Sequence, residues 1–517
     1  MAETRETEGR DEIRQDQIRQ DEVRIDPDDW ESHRRLTNRP QIVVGGPGTG
    51  KTQFLCDRVT DAIESGAVSG NEVVVLTFSR QGANDIRTRL FDALGAESYR
   101  VNVSTYHSLG MRIVESNATA LGWSAPPSVL AGAEQEHFVG DLLVDEEPGR
   151  WHGAYREILH SGVMAAEVTD FILRCHEHLL GPSDIAAHDR DQWRGIPAFF
   201  DRYLLAQVEA GRTDYGRILA DAVHAVESIP AVAAPYRLVV ADEYQDTSPA
   251  QSRLLLGLAA NTLDLIVAAD PYQSIYSFRG TDIHNVFTFP HDTESSLGSR
   301  AERLVLTTSF RVPEEILSSA VAVTARELPG GAGKVRSTRT GGTVAAHVFS
   351  LAAEEADWIA ADIEHVHLAD GVPLEQIAVF LRSNSPFTDE LSRALERRDI
   401  RHTYEESRLA DQPIVRFVRD LVTAATSDEE ADEAIRRVLQ SPYIGVPPGA
   451  IIGMDARRAE GETWGDIVES AVPDGGPLAA LLSDAKWARD TPAPQGLWLV
   501  WSTLPWLVTI ATDDTHT

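Results

Sequence analysis

Residues 41–54 read QIVVGGPGTGKTQF, and this stretch restricts the fold more than any other. A short apolar run enters a loop containing Gly45, Gly46, Gly48 and Gly50, and the loop passes directly into the helical pattern TQFLCDRVTDAI. A strand that turns through glycines into a helix belongs to a parallel sheet, because parallel neighbours need a crossover packed on the sheet face. The same alternation continues through NEVVVLTF, YRVNVST, YRLVVAD and LDLIVAAD, short β-branched runs spaced by helical stretches.

Domain boundaries follow from where this pattern stops and restarts. Residues 1–29 carry the near-repeat DEIRQDQIRQDEVRI, whose period fits neither a heptad nor a 3.6-residue face, and they are expected to form a charged, disordered or loosely helical tail. Residues 30–117 and 213–340 form the first α/β domain in this reading. Residues 118–212, with GAYREILHSG and VTDFILRCHEHLL but no strand run, form an all-α insertion within it. A second α/β pattern, TVAAHVF, EEADWIAADIEHV and QIAVFLRSN, predicts a partial second domain over 341–446, followed by helices and tryptophans over 447–517.

Composition narrows the class. The 517 residues include 80 acidic and 47 basic side chains, a net charge of −33, and only three lysines: Lys51, Lys334 and Lys486. Such a surface opposes broad, nonspecific binding to nucleic-acid phosphates, so any nucleic acid must be held in a local groove of arginines and stacking aromatics. No apolar run reaches the roughly eighteen residues of a membrane span, and the start of the chain is polar, which points to a cytoplasmic protein without a membrane partner. Two distant cysteines, Cys56 and Cys175, exclude a disulfide framework or a thiolate metal cluster.

The chemistry-bearing residues start at the loop. Gly45, Gly48, Gly50, Lys51 and Thr52 lie in the pattern G-x-x-x-x-G-K-[ST] between a strand and a helix. There, backbone N–H groups and the helix N-terminus surround phosphate oxygens, the lysine reaches the β and γ phosphates, and the threonine hydroxyl ligates magnesium. The segment LVVADEYQDTSPAQ adds Asp242 and Glu243 at the end of an apolar strand. Asp242 is suited to hold the Mg2+ shell, together with Thr52, and Glu243 to polarise an attacking water as general base. An acidic pair of this kind is otherwise a helix cap.

ADEYQD, VAADPYQSIYSFRG at 267–280 and LTTSFRVPEEIL at 306–317 resemble the superfamily 1 DNA helicases of UvrD, Rep and PcrA type. LTFSRQGANDIRTRL at 76–90 and STYHSLGMRIV at 104–114 are similar to that family's motifs Ia and Ib, and the helical insertion falls where the family places one. The resemblance covers about residues 40–450 and implies RecA-like parallel-sheet domains of the P-loop NTPase class with all-α insertions. It implies an ATP hydrolase coupled to DNA unwinding, with ATP and Mg2+ as cofactors and single-stranded or tailed duplex DNA as partner, tracked 3′ to 5′. Residue by residue, it makes Gln273 and Arg311 γ-phosphate sensors and Phe310 the aromatic on adenine. Phe78, His107, Tyr276, Phe278 and Arg279 would line the single strand. Without those motifs the same aromatics would read as core packing.

The chain also departs from the pattern. The upstream glutamine with which the family reads adenine is missing from DPDDWESHRR, where Trp30 is the alternative stacking group. Motifs V and VI do not follow RVLQSPYIGV, so the resemblance implies a truncated or split form whose partner chain supplies them. A nucleotide-dependent DNA-binding or regulatory protein without motor activity is the alternative function. An unrelated P-loop ATPase or kinase is a third. The apolar stretch LWLVWSTLPWLV, with Trp498, Trp501 and Trp506, is expected to form an exposed patch that promotes association.

Overall fold

A computed structural model describes residues 22–33, 35–262, 264–275, 283–324, 335–382, 386–403, 413–427, 430–504 and 507. They divide into two units, 1–346 and 347–517.

The first unit is built on one seven-stranded sheet. Its strands are β1 (Glu22–Ile25), β2 (Gln41–Gly45), β3 (Val73–Thr77), β4 (Asn102–Thr105), β5 (Leu238–Ala241), β6 (Leu265–Ala269) and β7 (Glu302–Leu306). They lie in the order β1-β7-β2-β6-β5-β3-β4, with every pair parallel. The apolar runs are buried along their whole length because both faces of the sheet are covered.

Alternate residues face opposite layers. Val44, Leu76, Val239 and Val267 pack into one core with α3 (Tyr106–Ser116), α8 (Tyr215–Ser228), α9 (Pro249–Leu258) and α10 (His284–Leu297). Val43, Val75, Val240 and Ile266 pack into the other with α1 (Lys51–Glu64) and α2 (Arg80–Leu94).

The helical insertion has its own core. Helices α4 (Gly132–Val144), α5 (Gly162–Glu177), α6 (Pro182–Ala187) and α7 (Ile196–Ala210) enclose Trp151, Phe199, Phe200 and Tyr203. Its base is closed by a two-residue strand pair, Ser128–Val129 with Arg212–Thr213, which the sequence reading did not include.

Below this pair the buried Asp214 caps α8 through the Arg217 amide at 2.9 Å. Its carboxylate also accepts from Tyr203 Oη and Gln207 Nε2, each at 2.8 Å, and lies 3.6 Å from His176 Nδ1. Burial alone would push this carboxyl up, but His176, the Arg217 amide and Tyr203 together hold it well below the usual carboxylate range. One buried anion thus fastens the insertion to a helix of the main core.

In this unit one expectation changes. Glu22–Ile25 is not tail: it is an edge strand paired with β7, because Ile25 has an apolar layer to enter and is 2% exposed. The strand ERLVL of β7, unmarked by a β-branched run, seats between β1 and β2.

The second unit has helices but no strand among its described residues. Helices α12 (Ala352–Ala369) and α13 (Pro386–Glu396) form as the pattern requires and share Ala360, Ile363, Leu391 and Leu395. The flanking runs 343–349 and 377–381 stay irregular, with Val348 97% and Phe380 93% exposed. A parallel strand needs hydrogen-bonded neighbours and cover on both faces, and these runs have neither among the described residues. From α14 (Pro413–Thr426) through Leu507 a separate helical body encloses Phe417, Trp464, Trp487 and Leu504, so this body begins before the expected boundary at 447. Trp498 is 71% exposed, Trp501 is half-buried, and Trp506 lies outside the described residues.

Asp214→Ala is expected to destabilise the first unit by about 2–4 kcal/mol, because it leaves several buried donors without an acceptor. Urea unfolding followed by far-UV circular dichroism checks this.

Candidate nucleotide site

The order of the strands decides which side chains meet. The loop after β2 lies between the end of β6 on one side and the end of β7 on the other, with β5 next beyond β6. Ligands of open parallel sheets bind at these C-terminal strand ends.

The loop is held open by its glycines. Gly48 has φ 74° and Gly50 has φ 87°, a region that side-chain-bearing residues rarely enter. A Cβ on Gly48 would stand 2.8 Å from Arg311 Cβ, and one on Gly50 would stand 2.8 Å from the Trp30 indole. The Thr49 hydroxyl closes the turn on the Gly46 carbonyl at 2.8 Å.

Lys51, first residue of α1, is folded back into this cradle. Its Nζ donates to the Gly45 carbonyl at 2.9 Å and to Gly46 at 3.2 Å, and lies 3.6 Å from Asp270 Oδ2. Next in sequence, Thr52 Oγ1 donates to Asp242 Oδ2 at 2.6 Å, joining the ends of β2 and β5. Two oxygen donors set together at a phosphate loop suit a hard cation such as Mg2+. Among the described residues no cluster of three or more His, Cys, Asp or Glu could hold a metal, so bound water and phosphate oxygens would complete the shell.

Glu243 follows in a left-handed conformation, φ 54°. Such a backbone costs on the order of 1 kcal/mol for a non-glycine residue and recurs at functional sites. It turns the Glu243 carboxylate toward Gln245, whose Nε2 donates at 2.6 Å. Gln245 Oε1 accepts from the Asp270 amide at 2.9 Å, and Gln273 Nε2 donates to Asp270 Oδ2 at 2.6 Å.

Asp270 therefore links Lys51, Gln245 and Gln273 while fully buried. The sequence reading did not single it out. The signal was present, since LDLIVAAD ends an apolar strand with an acid just as LVVAD does.

Burial, and then the charge of Glu243, push the Asp242 carboxyl up to about 6. Burial and Glu243 raise Asp246 to about 6 as well, and burial raises Asp270. Clustered, desolvated acids with raised carboxyls are a pattern that recurs at functional sites.

The segment after β7 supplies the far wall. Thr308–Ser309 pairs with Arg336–Ser337, Ser309 Oγ donates to the Pro47 carbonyl at 2.8 Å, and the Phe310 amide donates to the Gly48 carbonyl at 2.9 Å. Phe310, 45% exposed, and Arg311 are thereby carried to the loop.

Phe78 and His107 follow the ends of β3 and β4, on the same sheet edge but away from the loop. His107 meets Tyr215 edge-on at 5.7 Å, and burial lowers its imidazole to about 4, so it is neutral at physiological pH. Tyr276, Phe278 and Arg279 lie outside the described residues. Cys56 and Cys175 are buried, free thiols.

The parallel sheet, the glycine loop and the acids at the neighbouring strand ends define a P-loop NTPase. The family model of the UvrD/REP helicase N-terminal domain matches residues 26–294, just over half of the chain, and the chain belongs to that family. Curated relatives agree. ATP-dependent DNA helicase PcrA of Staphylococcus epidermidis is 23% identical over 434 residues, covering 81% of this chain and 56% of that protein. ATP-dependent DNA helicase UvrD1 of Mycobacterium tuberculosis is 26% identical over 434 residues, covering 79% and 53%. The chain spans about half the length of the curated relatives it matches.

The folded chain binds the Asp242 proton more tightly than the unfolded chain does. The stability this group contributes is therefore fully present below its ordinary value of 3.8 and lost as pH rises through about 6. Asp242→Asn is expected to raise the melting temperature of the nucleotide-free, metal-free chain at pH 7.5 by roughly 2–6 °C. The gain should disappear towards pH 4, as scanning fluorimetry across that range would register.

Proposed function

We propose that this chain binds and hydrolyses ATP with Mg2+ at the β2 loop and couples hydrolysis to movement along single-stranded DNA, 3′ to 5′, as a UvrD-type helicase or translocase. The observation that carries this reading is the convergence of Lys51, Thr52, Asp242, Glu243, Asp270 and Gln273 at adjacent ends of one parallel sheet. Family membership supports it.

Each group has a role that its surroundings favour. Gly45, Gly48 and Gly50 leave room for phosphates against backbone N–H groups, and Lys51 exchanges the loop carbonyls for β and γ oxygens. Thr52 and Asp242 would hold Mg2+, which would supply charge neutralisation of the transferring phosphoryl group. Glu243, released from Gln245, orients and deprotonates the attacking water. Gln273 bonds to the same Asp270 oxygen that Lys51 approaches, so the state of the phosphate site is readable at Gln273. Phe310 stacks on the base, and Arg311 approaches the γ phosphate.

Phe78, His107, Tyr276, Phe278 and Arg279 bind the DNA strand in this reading, by stacking and by local hydrogen bonds in place of a global positive field. His107 takes part as a neutral donor. A partner chain or a longer form supplies motifs V and VI, and the cytoplasm is the site of action. The irregular runs of the second unit favour one competing reading, a nucleotide-dependent DNA binder without motor activity.

The test is steady-state ATP hydrolysis with and without single-stranded DNA, in ordinary buffer and in high potassium chloride. Turnover should rise with DNA, vanish in Lys51→Ala, and fall by about 10²–10⁴ in Glu243→Gln with nucleotide binding retained. Unwinding of a 3′-tailed duplex would favour the motor. Magnesium-dependent nucleotide binding with no turnover would favour the binder.

A further inference from the structure

Arg311 reaches the loop from a segment, 310–313, that is neither strand nor helix, so its backbone is held by something outside regular structure. A second stretch of chain, residues 335–342, lies alongside and holds it. The Arg336 amide donates to the Thr307 carbonyl at 2.8 Å, the Thr338 amide to the Ser309 carbonyl at 2.9 Å, and the Glu314 amide to the Arg339 carbonyl at 2.9 Å. Between these bonds Ser337 Oγ donates to the Val312 carbonyl at 2.6 Å and Arg339 Nη1 to the Arg311 carbonyl at 3.3 Å. This strap therefore bonds the backbone at Arg311 itself and to either side of it.

The strap is fastened at both ends. At its start Val335 packs on the phosphate loop, with Cγ2 3.4 Å from the position a Gly46 Cβ would take. At its finish it meets the two carboxylates in the first turn of α11 (Glu314–Thr324). Glu314 accepts from the Ser337 amide at 2.7 Å, and Glu315 accepts from the amides of Gly341 at 3.1 Å and Gly342 at 3.0 Å, one on each oxygen. The Gly341 amide, with those of Glu315 itself and Gly342, holds this carboxyl below the usual carboxylate range.

The glycines make this clasp possible. Gly341 has φ 91°, and a Cβ on Gly342 would stand 2.8 Å from Pro313 Cβ and 2.9 Å from Ile316 Cγ1. Without side chains there, the strap lies directly against the residues that follow Arg311. An arginine on an unsupported segment gives up backbone and side-chain freedom when it meets an anion, and that cost is subtracted from its affinity. The strap removes the backbone share of this cost in advance.

We infer that Glu315 is a positioning residue for Arg311: by clasping Gly341 and Gly342 it locks the strap that sets the arginine for the γ phosphate. This rests on the role proposed for Arg311 above.

The experiment is titration calorimetry of the full chain, with Mg2+, using a non-hydrolysable ATP analogue and ADP, read as the ratio of the two affinities. Arg311→Ala should lower this ratio by about tenfold or more and leave ADP binding unchanged, since ADP lacks the γ phosphate. Glu315→Ala should lower it by about three- to tenfold, also without changing ADP binding, and Glu315→Gln, which keeps one acceptor, should lower it less. Gly342→Ala, which lifts the strap without touching the carboxylate, should act as Glu315→Ala does. With Arg311→Ala and Glu315→Ala combined, the ratio should equal that of Arg311→Ala alone.

A wild-type ratio in both Glu315→Ala and Gly342→Ala would overturn the inference. So would equal weakening of ADP and the analogue, which would make the clasp a support of the whole loop, or additive losses in the double variant. An unchanged ratio in Arg311→Ala would instead refute the role proposed for Arg311, and this inference with it.

Discussion

The site depends on one charge held in one place. Lys51 is fixed by two loop carbonyls and the buried Asp270, so an ammonium stands ready at the mouth of the loop. This is possible only because β6 lies beside β2: the adjacency brings a strand-end acid within reach of a helix-start lysine. The acids around it, Asp242 and Asp270, are desolvated and each is raised further by Glu243, while the lysine lowers both. In the function proposed, an incoming phosphate would take over the lysine and a metal the acids, so the two binding events would favour each other.

The remainder of the molecule is organised around keeping this edge intact. Helices on both faces bury the central strands β2, β3, β5 and β6, and Asp214 locks the insertion to α8 through a fully buried hydrogen-bond network. The surface is left strongly acidic, with a net charge of −33, which makes stacking groups and single arginines the means by which a polyanion can be held.

Much of this was legible in the sequence, and the reason is local. The loop and the DEYQD acids announce themselves because a glycine loop or an acid at the end of an apolar strand has few other uses. The seven strands were less evenly visible. The runs of β2, β3, β5 and β6 are β-branched and continuous, while ERLVL and EVRI are interrupted by charge and take strand form from their neighbours. Asp270 was missed although it carries the same signature as Asp242.

The runs TVAAHVF and IAVFL have strand composition but stay irregular, since pairing is a property of the sheet and not of the run. Trp30 was legible only as a candidate. Its contact with Gly50 joins residues from two strand–loop segments, and no local pattern contains that.

The central claim is that the β2 loop and the strand-end acids form one cooperative site for phosphate and metal. Titration calorimetry of a non-hydrolysable ATP analogue, with Mg2+ and again with EDTA, addresses it most directly. The account predicts binding that weakens by tenfold or more without Mg2+ in the wild-type chain and loses that dependence in Asp242→Asn. Binding of equal strength with and without Mg2+ would contradict it.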